Sequence, residues 1–152
     1  MLLALRDHQS ARIKEVMRAA LDDEAKAVRL EALRYLAVYR DGPASEAIVE
    51  RLNDSSKRQG LDADELRALA ISFAVIRRGE GAPVLEELAS VAAEAASRDR
   101  KDAERARNAR LLTAHIHGLR AAGKAGRAAL ERLGRSHPEL RDEIRQVLGG
   151  TR

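Results

Sequence analysis

Four histidines and several carboxylate clusters are the residues of this chain whose types could act on a substrate or hold a metal. His115 and His117 are the only closely spaced histidines, and a metal site or a proton shuttle would use such a pair. Side chains two positions apart on a helix, however, point roughly 200° away from each other. They cannot readily share one ion. His115 borders an apolar face and is expected to pack, while His117 is expected on the polar side. His8 and His137 fall at turns with no ligand spacing beside them. The carboxylates Asp22-Asp23, Asp62-Asp64 and Glu86-Glu87 could supply acid–base chemistry, but they sit at expected helix starts or exposed helix positions. Capping and solvation account for them there. No phosphate loop, serine-nucleophile motif or His-Glu metal pattern occurs. The absence of cysteine excludes disulfides, thiolate zinc sites and cysteine nucleophiles within the chain. The expectation is a protein that is not an enzyme, with no catalytic residue, no cofactor and no metal.

What remains is charge. Residues 98 to 152 hold 14 Lys+Arg against 7 Asp+Glu, whereas residues 1 to 97 hold 14 against 17, so the surplus of base lies in the last third. Arg107, Arg110, His117 and Arg120 fall on one polar helix face, roughly opposite Leu112, Ile116 and Leu119, and Lys124 and Arg127 continue it past a turn. These six are the candidate partner-binding residues. They suit an acidic partner, either a protein segment or a phosphate backbone. Nucleic acid is the weaker of the two, because no aromatic lies near to stack on a base. A solvated face near a chain end, in a chain rich in Ala and Arg, is the plain alternative.

The elements that must carry these residues are helices. The chain is 45% hydrophobic but only 2% aromatic, so its core has to be built from Leu, Ile, Val and Ala, which favours helix over strand. A chain of 152 residues suffices for one domain. No stretch approaches the apolar length of a membrane span, and Met1 to Leu5 is too short for a signal-peptide core. A soluble cytoplasmic protein is expected, without membrane partners.

The pattern predicts a helix from about Ala11 to Leu21 behind a Ser10 cap, with Met1 to Leu5 as the last turns of an earlier helix. Ile13, Val16, Met17, Ala20 and Leu21 share its apolar face. A second helix from Glu24 to Tyr39 carries Val28, Ala32, Leu33, Tyr35, Leu36 and Tyr39 over an arc wide enough for neighbours on two sides. Asp41-Gly42-Pro43 breaks the chain, and Ile48, Val49 and Leu52 stripe the next helix. Asp62 and Glu65 read as a capping box for a helix to about Arg78. Gly79 to Pro83 repeats the break, and a helix follows to about Ala96. Another is expected from Ala103 to Ala122, with Ala109, Leu112, Ile116 and Leu119 on one face. A last helix opens on a capping box at Ser136 to Glu139, carries Leu140, Ile144, Val147 and Leu148, and ends at Gly149-Gly150.

Leu21, Leu52, Leu88 and Leu133 close successive second helices, an uneven but persistent period of the α-solenoid kind. On Asp22-Asp23 followed by Val28-Arg29, the Gly42-Pro43 turn, Leu52-Asn53-Asp54 and Asp64-Glu65-Leu66-Arg67, the chain resembles the HEAT-repeat family in its bacterial form. The resemblance implies an all-α fold: a right-handed α-α superhelix of about three helix pairs plus a C-terminal capping helix. It would be a single domain over residues 1 to 152, or the C-terminal part of a longer solenoid. It implies that Arg29 and Arg67 bridge neighbouring units. It also implies a non-catalytic interaction scaffold for an acidic or extended protein partner, with a concave working face lined by second helices. A nucleic-acid-binding module and an accessory protein of the HEAT-like lyase kind are the alternatives. The unprotected apolar N-terminal end would invite stacking or dimerisation. The third pair departs from the pattern, with Gly118 standing where earlier helices have bulk.

Overall fold

The computed structural model describes the backbone of residues 2 to 149 and the side chains of residues 11 to 149. Its regular structure is helical throughout: α1 (Leu2–Ala19), α2 (Lys26–Val38), α3 (Gly42–Asn53), α4 (Ala63–Arg77), α5 (Ala82–Arg98), α6 (Asp102–Ala121), α7 (Gly123–Ser136) and α8 (Arg141–Gly149), with short 3-10 turns between some of them. Helix α1 runs through Ser10 without a break, so Ser10 is not a cap and no separate N-terminal helix ends before it. Nothing in Arg6 to Gln9 forbids helix, and a serine inside one costs only a few tenths of a kcal/mol, roughly. The expectations for the apolar Met1 to Leu5 end and for His8 concern residues outside the described side chains.

Most of the turn signals act as their chemistry dictates. Asp41 precedes α3, with Pro43 in its first turn, where the missing N–H is not needed. The Asp62 carboxylate accepts from the amides of Asp64 and Glu65, each at 3.0 Å, and Glu65 Oε2 accepts from the Asp62 amide at 3.2 Å, closing the capping box of α4. The box foreseen at Ser136 does not form. There the Ser136 hydroxyl donates back to the Arg132 carbonyl, and a 3-10 turn over Pro138–Leu140 leads into α8.

Helices α2, α4 and α6 lie side by side in that order; α3 packs against α4, and α5 packs along α6 and touches α7. At the ends, α1 rests on α2, while α8 rests on α6 and α7. One continuous aliphatic core fills the space between them, with Leu36, Ile48, Leu52, Leu85, Ile116 and Leu119 fully buried. Each such side chain contributes about 1.5–3 kcal/mol by leaving water. A close approach of two helices explains the glycine at position 118. A Cβ built on Gly118 would lie 2.8 Å from the Ala70 carbonyl oxygen, so α6 approaches α4 backbone to backbone.

Charged links join successive units. Glu65 is only 4% exposed, and its second oxygen, Oε1, accepts from Arg29 Nε at 2.8 Å. The same arginine donates to the carbonyls of Asp23 and Glu24 just before α2. Arg29 therefore ties α2 to α4 as anticipated, and one carboxylate serves both a cap and a bridge. Arg67 does not repeat this. It pairs with Asp64 on its own helix. A further link was not foreseen: Arg18 of α1 pairs at 3.1 Å with Asp41, which is buried.

The wide arc of α2 is only partly covered. Ala32, Leu33 and Leu36 are buried, but Val28 and Tyr39 are exposed, and Tyr39 stacks at 4.4 Å on Tyr35 rather than entering a helix interface. Among the aromatics only Phe73 is buried in the core. Ile13 and Val16 are likewise exposed, so the apolar face expected of α1 is covered only near Met17 to Leu21. The stripe assigned to α6 holds for Leu112, Ile116 and Leu119 but not for Ala109. Residues 102 to 107 are exposed on every side, and Ala109 belongs to the turns that extend past the body.

Candidate functional site

The six candidate residues do not form one surface. They divide between two clefts at either end of α6, separated by about 15 Å of helix between Arg110 and Arg120. The first cleft, of about 570 Å³, lies between the first half of α6 and the connection from α3 to α4. Arg107 and Arg110 line the α6 side; Ser55, Ser56, Arg58, Gln59 and Gly60 line the other. Leu61, Leu66 and Leu111 complete it, and no carboxylate is among its lining residues. The second, of about 440 Å³, is lined by Arg120, Gly123, Lys124, Arg127 and Leu148. His117 belongs to neither. It stands between them, half-buried, and burial, then the charges of Arg67 and Arg120, lower its pKa against the pull of Glu143. These causes together favour its neutral form.

The first cleft sets polar side chains of Ser55, Ser56 and Gln59 beside its arginines, which the second does not. Arg107 and Arg110 form no ion pair or hydrogen bond with any described residue. Arg58 donates to the Leu52 carbonyl at the end of α3, which fixes its stem in the wall. Burial lowers the Arg58 pKa, the Asp54 charge opposes that, and the Arg107 charge adds to it. Asp54 itself is engaged next door, accepting from the Ser56 amide at 2.8 Å and the Ser56 hydroxyl at 2.7 Å. Three guanidinium groups thus face one opening, with their nearest carboxylate turned to its own loop. Arg58 was not singled out in the sequence, because it lies in a connection where no periodicity assigns a direction to a side chain.

The location differs from the one the repeat pattern suggested. The first cleft is built on α6, the first helix of its pair, and on the connection from α3 to α4, whereas the second takes Arg120 from the end of α6 and Gly123, Lys124 and Arg127 from the second helix α7. Between α3 and α5 lies a shallower groove of Val49, Val84, Leu88 and Val91, flanked by Glu50 and Glu87, whose charge is opposite to that of the α6 clefts. Leu88, which the repeat aligns with Leu52, packs against the core and also borders this groove.

The remaining chemistry-bearing residues are structural. His115 is fully buried, and neither ring nitrogen has a hydrogen-bond partner among the described residues. Burial first, and Arg58 second, lower its pKa to about 3. It points away from His117 in environment as in angle. Ser90, His137 and Glu139 do fall in the order hydroxyl, imidazole, carboxylate: Ser90 Oγ and His137 Nε2 share a hydrogen bond of 3.0 Å, and His137 Nδ1 lies 3.4 Å from Glu139. Ser90, however, sits in the interior of α5, where the backbone N–H groups are used by the helix. They offer no oxyanion donors. The contact pins α5 to the turn before α8.

The carboxylate pairs are likewise accounted for. Asp22 pairs with Arg51, Asp23 accepts from the Ala25 amide, and Glu86 pairs with Arg132 of α7 at 2.6 Å. Among the described residues no three His, Asp or Glu side chains converge as a metal site would require, and no helix is long and apolar enough to cross a membrane. Comparison with protein-family models, with curated proteins and with solved structures finds no match for this chain.

Proposed function

We propose that this protein is a non-catalytic binding scaffold of stacked helix pairs, arranged as a HEAT-like superhelix, that grips an acidic segment of a partner protein along α6. The observation that carries the reading is the cleft of Arg58, Arg107 and Arg110, where three cations share an opening lined by no acid. Charges held this way raise the local concentration of anions and steer association. The second cleft of Arg120, Lys124 and Arg127 extends the field. An extended peptide advances about 3.3 Å per residue. Acidic side chains about five residues apart would therefore reach both.

A fluorescein-labelled hexaglutamate flanked by neutral residues is the probe, and anisotropy against salt is the measurement. Binding should weaken as ionic strength rises. Charge reversal at Arg107 and Arg110 together should weaken it at least tenfold, with the helical circular dichroism unchanged. A protein that shows no binding even at low salt, or that binds equally well after reversal at both clefts, would end this reading.

A further inference from the structure

The first cleft has more than positive charge. Ser55 brings a hydroxyl and Gln59 an amide to the wall opposite Arg107 and Arg110, and neither side chain is committed to another described residue. Gly60, at φ +84°, carries no side chain to block the approach to the loop backbone. Ser56 is different, since its hydroxyl proton is taken by Asp54. Arg58 uses one of its five N–H groups on Leu52 and keeps the others. The donors therefore come from two walls and several directions, around an opening wider than a single carboxylate needs.

Guanidinium forks, hydroxyl and amide donors converging without any acceptor-only group match a tetrahedral dianion better than a planar monoanion. A phosphate ester carries −1.5 to −2 charges near pH 7, so it answers the mutual repulsion of three arginines more fully than a glutamate does. We propose that the cleft between residues 55 to 60 and Arg107 and Arg110 is a receptor site for a phosphorylated serine or threonine within an extended segment of the partner protein. This rests on the scaffold reading above and names its ligand. A nucleic acid is the poorer occupant because no aromatic side chain lines the cleft to stack a base. A bilayer is poorer because no exposed large apolar side chain stands among the lining residues to enter the acyl layer. The second cleft would then receive an acidic residue about five positions from the phosphate.

Three labelled nine-residue peptides of neutral background test this, carrying phosphoserine, glutamate or serine at the centre. The phosphopeptide should bind at least tenfold more tightly than the glutamate peptide, and the serine peptide not measurably. Arg107→Ala with Arg110→Ala should weaken phosphopeptide binding at least tenfold, whereas Arg120→Ala with Arg127→Ala should change it less than threefold. None of these four side chains forms an ion pair or hydrogen bond with a described residue, so the helical signal and unfolding midpoint should be little changed; Arg58 is left alone because it holds the end of α3. Glutamate and phosphoserine peptides binding within threefold of each other would overturn the phosphate site while leaving the acidic-partner reading intact. Failure of these two peptides and of hexaglutamate alike would overturn both. Binding indifferent to Arg107 and Arg110 would overturn the location, and tighter binding of a nine-nucleotide single strand or of phosphatidylserine vesicles would overturn the choice of partner.

Discussion

Replacing His115 with leucine should stabilise this protein, and by an amount that grows as the pH falls. The imidazole is fully buried between helices with both nitrogens unpartnered by described residues. An unmade hydrogen bond on a buried polar group costs about 1–3 kcal/mol. Leucine is of similar size and has no such groups, so a gain of about 1–3 kcal/mol is expected at pH 7.5. The pH dependence follows from the pKa, lowered from 6.5 to about 3 by burial and by nearby Arg58. Above pH 6.5 the imidazole is neutral in both folded and unfolded chains and contributes no slope. Between pH 6.5 and 3 only the unfolded chain takes the proton, so stability is lost as the pH falls. Below the folded value both are charged and the loss stops. At about 1.4 kcal/mol per pH unit, the loss reaches about 2 kcal/mol at pH 5. Carboxylates titrate in the same window, but they do so in both proteins and cancel in the difference. Urea unfolding followed by circular dichroism at pH 7.5 and pH 5 gives the two differences, with unchanged slopes as the check on two-state behaviour. A variant whose advantage is the same at both pH values within about 0.5 kcal/mol would refute the buried, unpartnered imidazole.

Two further predictions concern the joints between helices. Arg29→Ala removes the partner of nearly buried Glu65 and two carbonyl contacts before α2; a loss of about 2–4 kcal/mol is expected in urea unfolding. Arg67→Ala, which breaks only an exposed pair within one helix, should cost less than about 0.5 kcal/mol. Gly118→Ala should gain about 1 kcal/mol in helix propensity but force α4 and α6 apart at Ala70, giving a net loss of about 1–2 kcal/mol and a lowered thermal midpoint.

Local signals in this sequence carried through where one residue type had one physical use. Pro43 could only begin a helix, and Leu112, Ile116 and Leu119 could only face a core, whereas Glu65 closes the capping box and takes Arg29 as well. Ser10 failed because serine is also tolerated inside a helix, and the chain around it contains no glycine or proline to enforce a stop. The arc on α2 was misjudged for a different reason. Periodicity shows which residues share a face, but the number of neighbours that cover the face is a tertiary fact, and here Val28 and Tyr39 are left open. The same limit hid the cleft. Arg107 and Arg110 were legible as a basic face, whereas Arg58, some fifty positions earlier, meets them only because α4 brings its own N-terminal connection beside α6. His115 was read correctly as a packing residue, yet nothing in the spacing revealed that both its nitrogens would be left without partners.

The uneven repeat is itself the origin of the proposed site. Helices α2 and α3 have 13 and 12 residues, whereas α5 and α6 have 17 and 20. The additional turns need not be matched by α4, which ends its own packing at Leu66 near the base of the cleft. They therefore extend beyond the core, and their residues from Asp102 to Arg107 are all exposed. A regular repeat would have placed apolar residues at these positions and a short turn between the pairs. Here the excess length mixes Asp102 and Glu104 with Arg105 and Arg107 among alanines, and its Ala103, Ala106 and Arg107 line a gap flanked by a loop bearing another arginine. Alanine covers little of the helix backbone and leaves the guanidinium groups unobstructed, so the departure from regularity opens a space and charges it at once.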